Sequence, residues 1–542
     1  MEAVTTRAAA LARAETVLVA GLAAAAAGAV AAFAPPGGDA AAHLYRTELV
    51  RDGVHLWDNL WYGGHYPLTS YSLLYYLVAA VVGNLPLVLG ATVASAALFR
   101  SVAVDEWGDE AARWPGRVFA VVAAGPVFTG TYTFAVGVAA ALAALRLAQL
   151  GRRRLVVACA ALALGFSPLA FAFCVLGLAA PVAARRRVTR EDLRVGGALA
   201  ALALLQLVVV VAFPGGGRYS FSLLSLAGVL ALSALAAALA ARSPRGGVLA
   251  ALFVLWALAN LASFAVPSPF GDNVARLRHF VLPLALLAAI LARFRPRPLA
   301  AAALAVALVY NLGPDVSAAV KRAGDRSAQP GYWAPALAFL RERMTPDHRV
   351  AVVPLFSHYE AYYVPRSGFA LARGWYRQID LVENPELYRE PLTREAYRRW
   401  LSRLGVRYVL LPSERLGPMG AEREAALLAS GDAGLPVVFQ SRDWTIYERP
   451  DATPILTGPG EPRLERLSHS RIAGTLPRAG TYRLRVRYTP YWHASGPVCA
   501  ERAPDGMTRL VARDAGRFLL APPRGIASLL RAGVEDRRST CG

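Results

Sequence analysis

From Thr16 to Gly313 the chain is a succession of apolar runs rich in alanine and leucine, with arginines bunched in the short stretches between them. Backbone placed in hydrocarbon must satisfy its own hydrogen bonds, so runs of this kind commit the segment to membrane-crossing helices. They fall at about 16–34, 85–104, 118–130, 131–150, 155–166, 168–184, 195–213, 221–241, 247–266, 279–293 and 298–313, which predicts about eleven crossings. Several are short, and those meeting at Thr129–Thr133 and Ser167–Pro168 read as half-buried helices joined by tight turns. In this assignment Arg7 and Arg13, Arg152–Arg154, Arg185–Arg187, Arg242 with Arg245, and Arg293, Arg295 and Arg297 share one side. The positive-inside rule makes that side cytoplasmic, and an odd count sends the C-terminal part outside the cytoplasmic (inner) membrane. The first run ends in Pro-Pro-Gly-Gly instead of a small-residue cleavage site, so it reads as a signal-anchor helix.

The formal net charge is +21, although only 18% of residues are charged. Much of that excess sits in the arginine clusters beside apolar runs, so it points to topology and a lipid bilayer, not to nucleic acid. From about Lys321 onward the composition turns polar, aromatic and charged. The expected architecture is therefore a polytopic α-helical membrane domain over 1–313, an extracytoplasmic α/β domain over 314–450 and a β-sandwich-like domain over 451–542. Two helix-then-strand units, Tyr332–Met344 with Arg349–Pro354 and Arg394–Leu404 with Val406–Pro412, support the α/β layer. Alternation over Thr481–Tyr488, followed by Arg509–Val511 and Arg517–Leu520, supports the sandwich. Cys159 and Cys174 lie in apolar runs and read as packing residues. Cys499 and Cys541 lie in the polar part, where an oxidising compartment would let them pair.

The stretch PPGGDAAAHLYRTELVRDGVHLWDNLWYGGHYPLTSYSLLYY (Pro35–Tyr76) carries most of the chemistry. Its part Pro35–Pro67 is too polar to cross a membrane and reads as a first extracytoplasmic loop on the membrane surface, with Tyr71–Val82 as an interfacial helix. Gly-Gly-Asp before Ala-Ala-Ala-His is good capping chemistry, so Asp39 is at once a candidate N-cap and a candidate catalytic carboxylate. His43 lies one helical turn on, a spacing that can hold a divalent cation such as Mg or Mn, or position a base. Asp52, His55, Asp58 and His65 are further polar candidates. Trp57, Trp61, Tyr62 and Tyr66 read first as an interfacial aromatic belt, with stacking on a sugar face as the functional alternative. In a second loop, Val266–Pro283, Arg276 and Arg278 lie on the side that the other arginines avoid, which suits a phosphate.

The acid just beyond the first span, the following G-x-x-x-W and the Gly-Gly-x-Tyr-Pro before an interfacial helix together resemble the first extracytoplasmic loop of C-fold (GT-C) membrane glycosyltransferases. Within them the closest likeness is to the group known as 6-pyruvoyl-tetrahydropterin-synthase-related membrane proteins. The resemblance covers roughly Ala14–Gly313 and includes the G-x-N-x-x-R-L stretch at Gly271–Leu277. It implies Asp39 as catalytic base or metal ligand, Arg276 and Arg278 on the donor phosphate, and His43, His65, Tyr66 and Asn273 at the substrate. Asp39 is followed by three alanines, where some members carry a paired acidic motif. His358–Asp380 and Thr489–Gly496, dense in aromatic and charged groups, are similar to extracytoplasmic domains of actinobacterial-type membrane glycosyltransferases. The implied activity is transfer of a hexosyl or pentosyl group from a polyprenyl-phosphate donor to a cell-envelope glycan or glycoprotein. The competing readings are a transporter or flippase of lipid-linked intermediates and a non-catalytic glycan-binding assembly protein. A flippase would be expected to show related halves and mid-membrane charges, and the runs carry neither clearly. No Walker, G-x-S-x-G or dinucleotide fingerprint stands in a strand–turn–helix context.

Overall fold

The computed structural model describes residues 2–525, 527 and 541. The chain packs into two units: residues 1–40, 72–211 and 218–321 form one, and residues 41–71, 212–217 and 322–542 form the other.

The first unit is helical. Among the described residues nine helices are long and apolar enough to cross a membrane: Arg13–Phe33, Asn84–Trp107, Tyr132–Gln149, Pro168–Arg185, Arg190–Ala212, Leu223–Ala240, Gly247–Ala265, Gly271–Leu291 and Arg297–Arg322. About eleven crossings are expected, and the two remaining runs form shorter helices. The run at 118–130 is divided between the helices Asp109–Val122 and Gly125–Thr129, and that at 155–166 is the helix Arg153–Phe166. Helices of 14 residues rise only about 21 Å, short of the roughly 30 Å of hydrocarbon. The helix breaks are chemically specified. Ser167 Oγ accepts from Ala170 N at 3.3 Å and starts the helix at Pro168, and Ser222 Oγ accepts from Ser225 N at 3.1 Å to start Leu223–Ala240. Tyr75–Val82 is a separate helix of 8 residues, too short to span.

Small side chains fill the crossings of this bundle. Ala96, Ala120, Ala236, Ala285 and Ala288 are completely buried around Phe253 and Trp256. In lipid the hydrophobic effect gives helices little reason to associate, so close approach of alanine faces and the dispersion it allows hold them together. Arg190–Ala212 is the exception, with Leu199 its only buried residue.

Among the described residues the second unit has twelve strands: β1 (Arg349–Val352), β2 (Val406–Pro412), β3 (Val437–Gln440), β4 (Trp444–Glu448), β5 (Leu456–Thr457), β6 (Arg463–Ser468), β7 (Arg471–Leu476), β8 (Gly480–Arg487), β9 (His493–Ser495), β10 (Val498–Arg502), β11 (Met507–Ala512) and β12 (Gly516–Ala521). The α/β layer has the order β1-β2-β4-β3, with β1 parallel to β2 and the other pairs antiparallel. A parallel pair needs a long crossover, and the helix Arg394–Leu404 lies within it. Two antiparallel sheets follow, β10-β11-β8-β5 and β6-β7-β12-β9. Along β8 the pleat buries Tyr482, Leu484 and Val486, as the alternation requires. Cys499 on β10 is joined to Cys541 by a disulfide.

Residues 41–71 belong to this second unit and are woven into its core. Trp61 is fully buried, stacks on Tyr45 at 4.5 Å and donates from Nε1 to Ala361 O at 3.0 Å. Tyr62 OH donates to Gly374 O at 2.8 Å, and Leu371 N donates to Leu60 O at 2.8 Å. The aromatic belt expected from Trp57, Trp61, Tyr62 and Tyr66 is therefore corrected: all four are interior side chains at 6% exposure or less. The hydrogen-bonding tips of Trp61, Tyr62 and Tyr66 find partners 300 or more residues away in sequence, which local hydropathy cannot register.

Candidate functional site

In the first unit, the chain leaves the first span through Pro35–Gly38 and turns at Asp39. This turn is docked by two glycines. A Cβ on Gly37 would lie 2.3 Å from the backbone of Thr129 and Gly130, and one on Gly130 would lie 2.6 Å from Ala40 N. Gly130 also holds φ at +80°, a left-handed conformation that side chains resist. Asp39 N donates to Thr129 O at 3.4 Å, so two backbones meet where no side chain intervenes. The result fixes a carboxylate at the entrance to the helix Ala40–Arg51, where the positive end of the helix dipole favours its charge.

Facing Asp39 within the same unit is Arg276: its Nη2 lies 3.8 Å from Asp39 Oδ2, and the two side chains are 22% and 24% exposed. Arg276 sits on an unusual element, ten consecutive residues of 3-10 helix, Gly271–Phe280. That geometry leaves poorer hydrogen bonds and rarely runs so long. Here side chains of other helices and their connections complete it. Trp256 Nε1 donates to Val274 O at 2.9 Å, Ser263 Oγ to Gly271 O at 3.0 Å and Asn311 Nδ2 to His279 O at 3.2 Å. Irregular backbone at membrane depth persists only where protein satisfies it in this way. The threefold period aligns Asn273, Arg276 and His279 on one edge, with Asn273 and His279 buried. Arg278 projects from another edge, and its Nε is buried without a hydrogen-bond partner among the described residues.

A carboxylate that can take a proton thus stands beside a guanidinium that can hold an anion, and neither is sealed from solvent. A divalent cation is a poorer match. Among the described residues no three His, Cys, Asp or Glu side chains converge to hold one, and a guanidinium occupies the neighbourhood of Asp39 where a second carboxylate would be needed. The donor set present does not fit a protein-held Mg or Mn ion at Asp39.

The other sequence candidates lie in the second unit. His43 is buried near Tyr71, ring centroids 5.6 Å apart. Tyr66 is buried with its hydroxyl 3.1 Å from Thr489 Oγ1. His65 stacks on Trp61 at 5.2 Å with its Nδ1 3.4 Å from Asp58 Oδ2. Burial pushes the His65 imidazole down to about 4, against a smaller upward pull from Asp58, so it is neutral at physiological pH.

Asp58, one of the further polar candidates of the first loop, centres a cluster of its own. It is fully buried, accepts from Tyr45 OH at 2.8 Å and lies 2.9 Å from His469 Nδ1. Burial raises the Asp58 carboxyl, but the hydrogen bond and charge of His469 outweigh that together with smaller contributions and leave it below its ordinary value. His469 is raised: burial works against its charge, and the hydrogen bond and charge of Asp58 overcome that. His469 joins the cluster from the β6–β7 hairpin, 411 residues from Asp58, and no local pattern could have paired them.

Neither a protein-family model nor a curated protein matches the chain. Several solved structures resemble it, two of which follow. One is the crystal structure of the Archaeoglobus fulgidus oligosaccharyltransferase tethered by a disulfide bond to an acceptor peptide containing the NVT sequon. It has a TM-score of 0.44 and 11% identity over 81% of this chain and 75% of that one. The other is the oligosaccharyltransferase AglB of the same organism, in complex with an inhibitory peptide and a dolichol-phosphate. It has a TM-score of 0.36 and 12% identity over 73% of this chain and 69% of that one. At that distance, chemistry has to come from this chain's own side chains.

Proposed function

We propose that this chain is a GT-C-like membrane glycosyltransferase that moves a sugar from a polyprenyl-phosphate donor to a cell-envelope glycan or glycoprotein, at the extracytoplasmic face of the inner membrane. The observation that carries the reading is the pairing of Asp39 with Arg276 at 3.8 Å, on the face that the arginine clusters avoid. In this mechanism Arg276 and Arg278 donate to the phosphate of the donor, and Arg276 exchanges its contact with Asp39 for the phosphate oxygens. The released carboxylate takes the proton of an acceptor hydroxyl as that oxygen bonds to the anomeric carbon. The bond from the anomeric carbon to the phosphate oxygen breaks, and its electron pair leaves with the polyprenyl phosphate. The guanidinium groups hold the charge that develops there. Asn273 and the buried edge of the 3-10 segment position Arg276, while His65 and Tyr66 serve the packing of the second unit.

Transfer of radiolabelled sugar from a panel of polyprenyl-phosphate donors, by membranes containing wild type, Asp39→Ala or Arg276→Gln, tests this. Wild type should transfer. Asp39→Ala should lose roughly two to four powers of ten in turnover, the scale of a general base, while Arg276→Gln should chiefly raise the donor KM. Activity that survives Asp39→Ala removes the base from this site. Absence of transfer by wild type with every donor shifts the reading to a transporter or a glycan-binding protein.

A further inference from the structure

The first unit holds a half-open cavity of about 1050 Å³ lined mainly by apolar side chains, at the upper end of the roughly 300–1,000 Å³ of small-molecule sites. One wall is the helix Arg190–Ala212, which presents Asp192, Val195, Gly196, Leu199, Ala200 and Ala203 to it. Those positions recur at helical spacing and form a single stripe, mostly of small residues, so the cavity is a feature of that helix face. On another side of the same helix Leu204, Leu205 and Val208 are more than half exposed, as lipid-facing side chains are. The helix meets the bundle chiefly through Leu199, in one cluster with Ala160, Phe171 and Cys174, with Val195 and Leu202 packed against the same cluster.

One end of the cavity is cationic. Arg153, Arg185, Arg186 and Arg187 line the cavity, outnumbering its carboxylates Glu106 and Asp192. Arg185 is ion-paired with Asp192 and Arg153 with Glu191 at 3.3 Å. Arg186 and Arg187 are exposed in the four-residue connection between the helices Pro168–Arg185 and Arg190–Ala212. Arg186 holds φ at +52°, a conformation uncommon for a side-chain-bearing residue. The other end reaches Leu277, Phe280 and Leu284, so the cavity runs from a cationic rim to the 3-10 segment that carries Arg276.

We propose that this cavity is a binding site for an anionic phospholipid of the leaflet on the arginine side, its phosphate held by Arg186 and Arg187 and its acyl chains lying along the stripe of Arg190–Ala212. An empty space of this size would deprive its walls of dispersion contacts, and water would gain no partners along carbon. Acyl chains satisfy the walls, and the two guanidinium groups match a phosphodiester in charge and geometry. A zwitterionic lipid brings a choline cation to the same rim and binds less well. The occupant's chain ends lie under Leu277 and Phe280, which makes the lipid a support for the 3-10 segment. The inference stands whether or not Asp39 is a catalytic base.

The test uses the full chain, purified in detergent and reconstituted in nanodiscs of phosphatidylcholine with or without phosphatidylglycerol. Native mass spectrometry should find one phosphatidylglycerol retained per chain, and its titration should raise Tm saturably. The double variant R186Q/R187Q should weaken that titration by roughly tenfold or more, the scale of losing a charge-assisted hydrogen bond. A200L/A203L, which fills the stripe with apolar volume, should retain no lipid while remaining monodisperse. Should that variant fail to fold, the comparison of R186Q/R187Q with wild type still decides. Equal protection by phosphatidylcholine and phosphatidylglycerol in both proteins would overturn the site and leave ordinary solvation of a bundle. Retention of a polyprenyl phosphate in place of the phospholipid would overturn its assignment to this lipid class.

Discussion

Arg373 in the second unit offers a stringent test of the packing described above. Its guanidinium is buried at 3% exposure among two carboxylates that are fully buried, Asp380 and Glu424. It donates to both oxygens of Asp380 at 3.1 and 2.5 Å, to Glu424 at 3.3 Å and to Met419 O at 2.8 Å. Tyr388, Asn384 and Tyr397 complete the carboxylates. Replacing Arg373 with Met removes the cation that these contacts share and leaves two acids facing each other in a dry interior. Breaking a buried pair this way costs about 3–5 kcal/mol, which is roughly a hundred- to several-thousand-fold in the opening equilibrium of the unit. Native-state proteolysis of the full chain in detergent, read on fragments of the second unit, measures that equilibrium when reclosing outpaces cleavage. The deficit should also depend on pH. Burial already holds the Glu424 carboxyl above its ordinary value against the pull of Arg373; without that pull the folded variant binds more protons there, and its deficit shrinks as pH falls. The triple variant R373M/D380N/E424Q should recover most of the loss, since no charge is then left unpaired. A loss below about 1 kcal/mol in Arg373→Met, or no recovery in the triple variant, would refute the reasoning.

Three further outcomes follow from other contacts. The His65 imidazole is held near 4 in the folded unit against about 6.5 unfolded, so between those values the unfolded chain binds more protons; acidification from pH 6.5 to 4 should remove about 3 kcal/mol, and His65→Gln should abolish that part of the acid limb. Gly130→Ala, whose Cβ would strike Ala40 N, should displace the Asp39 turn and lower sugar transfer nearly as far as Asp39→Ala while the protein still inserts and stays monodisperse. Gly374→Ala would bring a Cβ to 2.6 Å from the Trp61 ring, and overpacking of that kind should cost the second unit about 1–3 kcal/mol in the same proteolysis assay.

What the sequence by itself determined is what local pattern can encode. Apolar runs cannot leave their backbone unpaired in lipid, so the existence of the membrane helices was legible; their lengths were less so, because fourteen-residue helices such as Arg153–Phe166 pack among the longer ones. The pleat period likewise marked β8, and the helix–strand units marked Arg394–Leu404 with β2. Asp39 and Arg276 were each visible as residues of the right chemistry on the right side, but their meeting across 237 positions was decided by the glycine crossing at Gly37 and Gly130 and by the 3-10 segment, and neither leaves a periodic signature. The first loop shows the same limit from the other direction. Its tryptophans and tyrosines are amphipathic, and hydropathy places such residues at a membrane surface as readily as in a core. Only the long-range hydrogen bonds of Trp61 and Tyr62 assign them to the interior of the second unit. Contacts between distant segments depend on the whole packed chain, because each is stable only when the rest of the core has already excluded water from it.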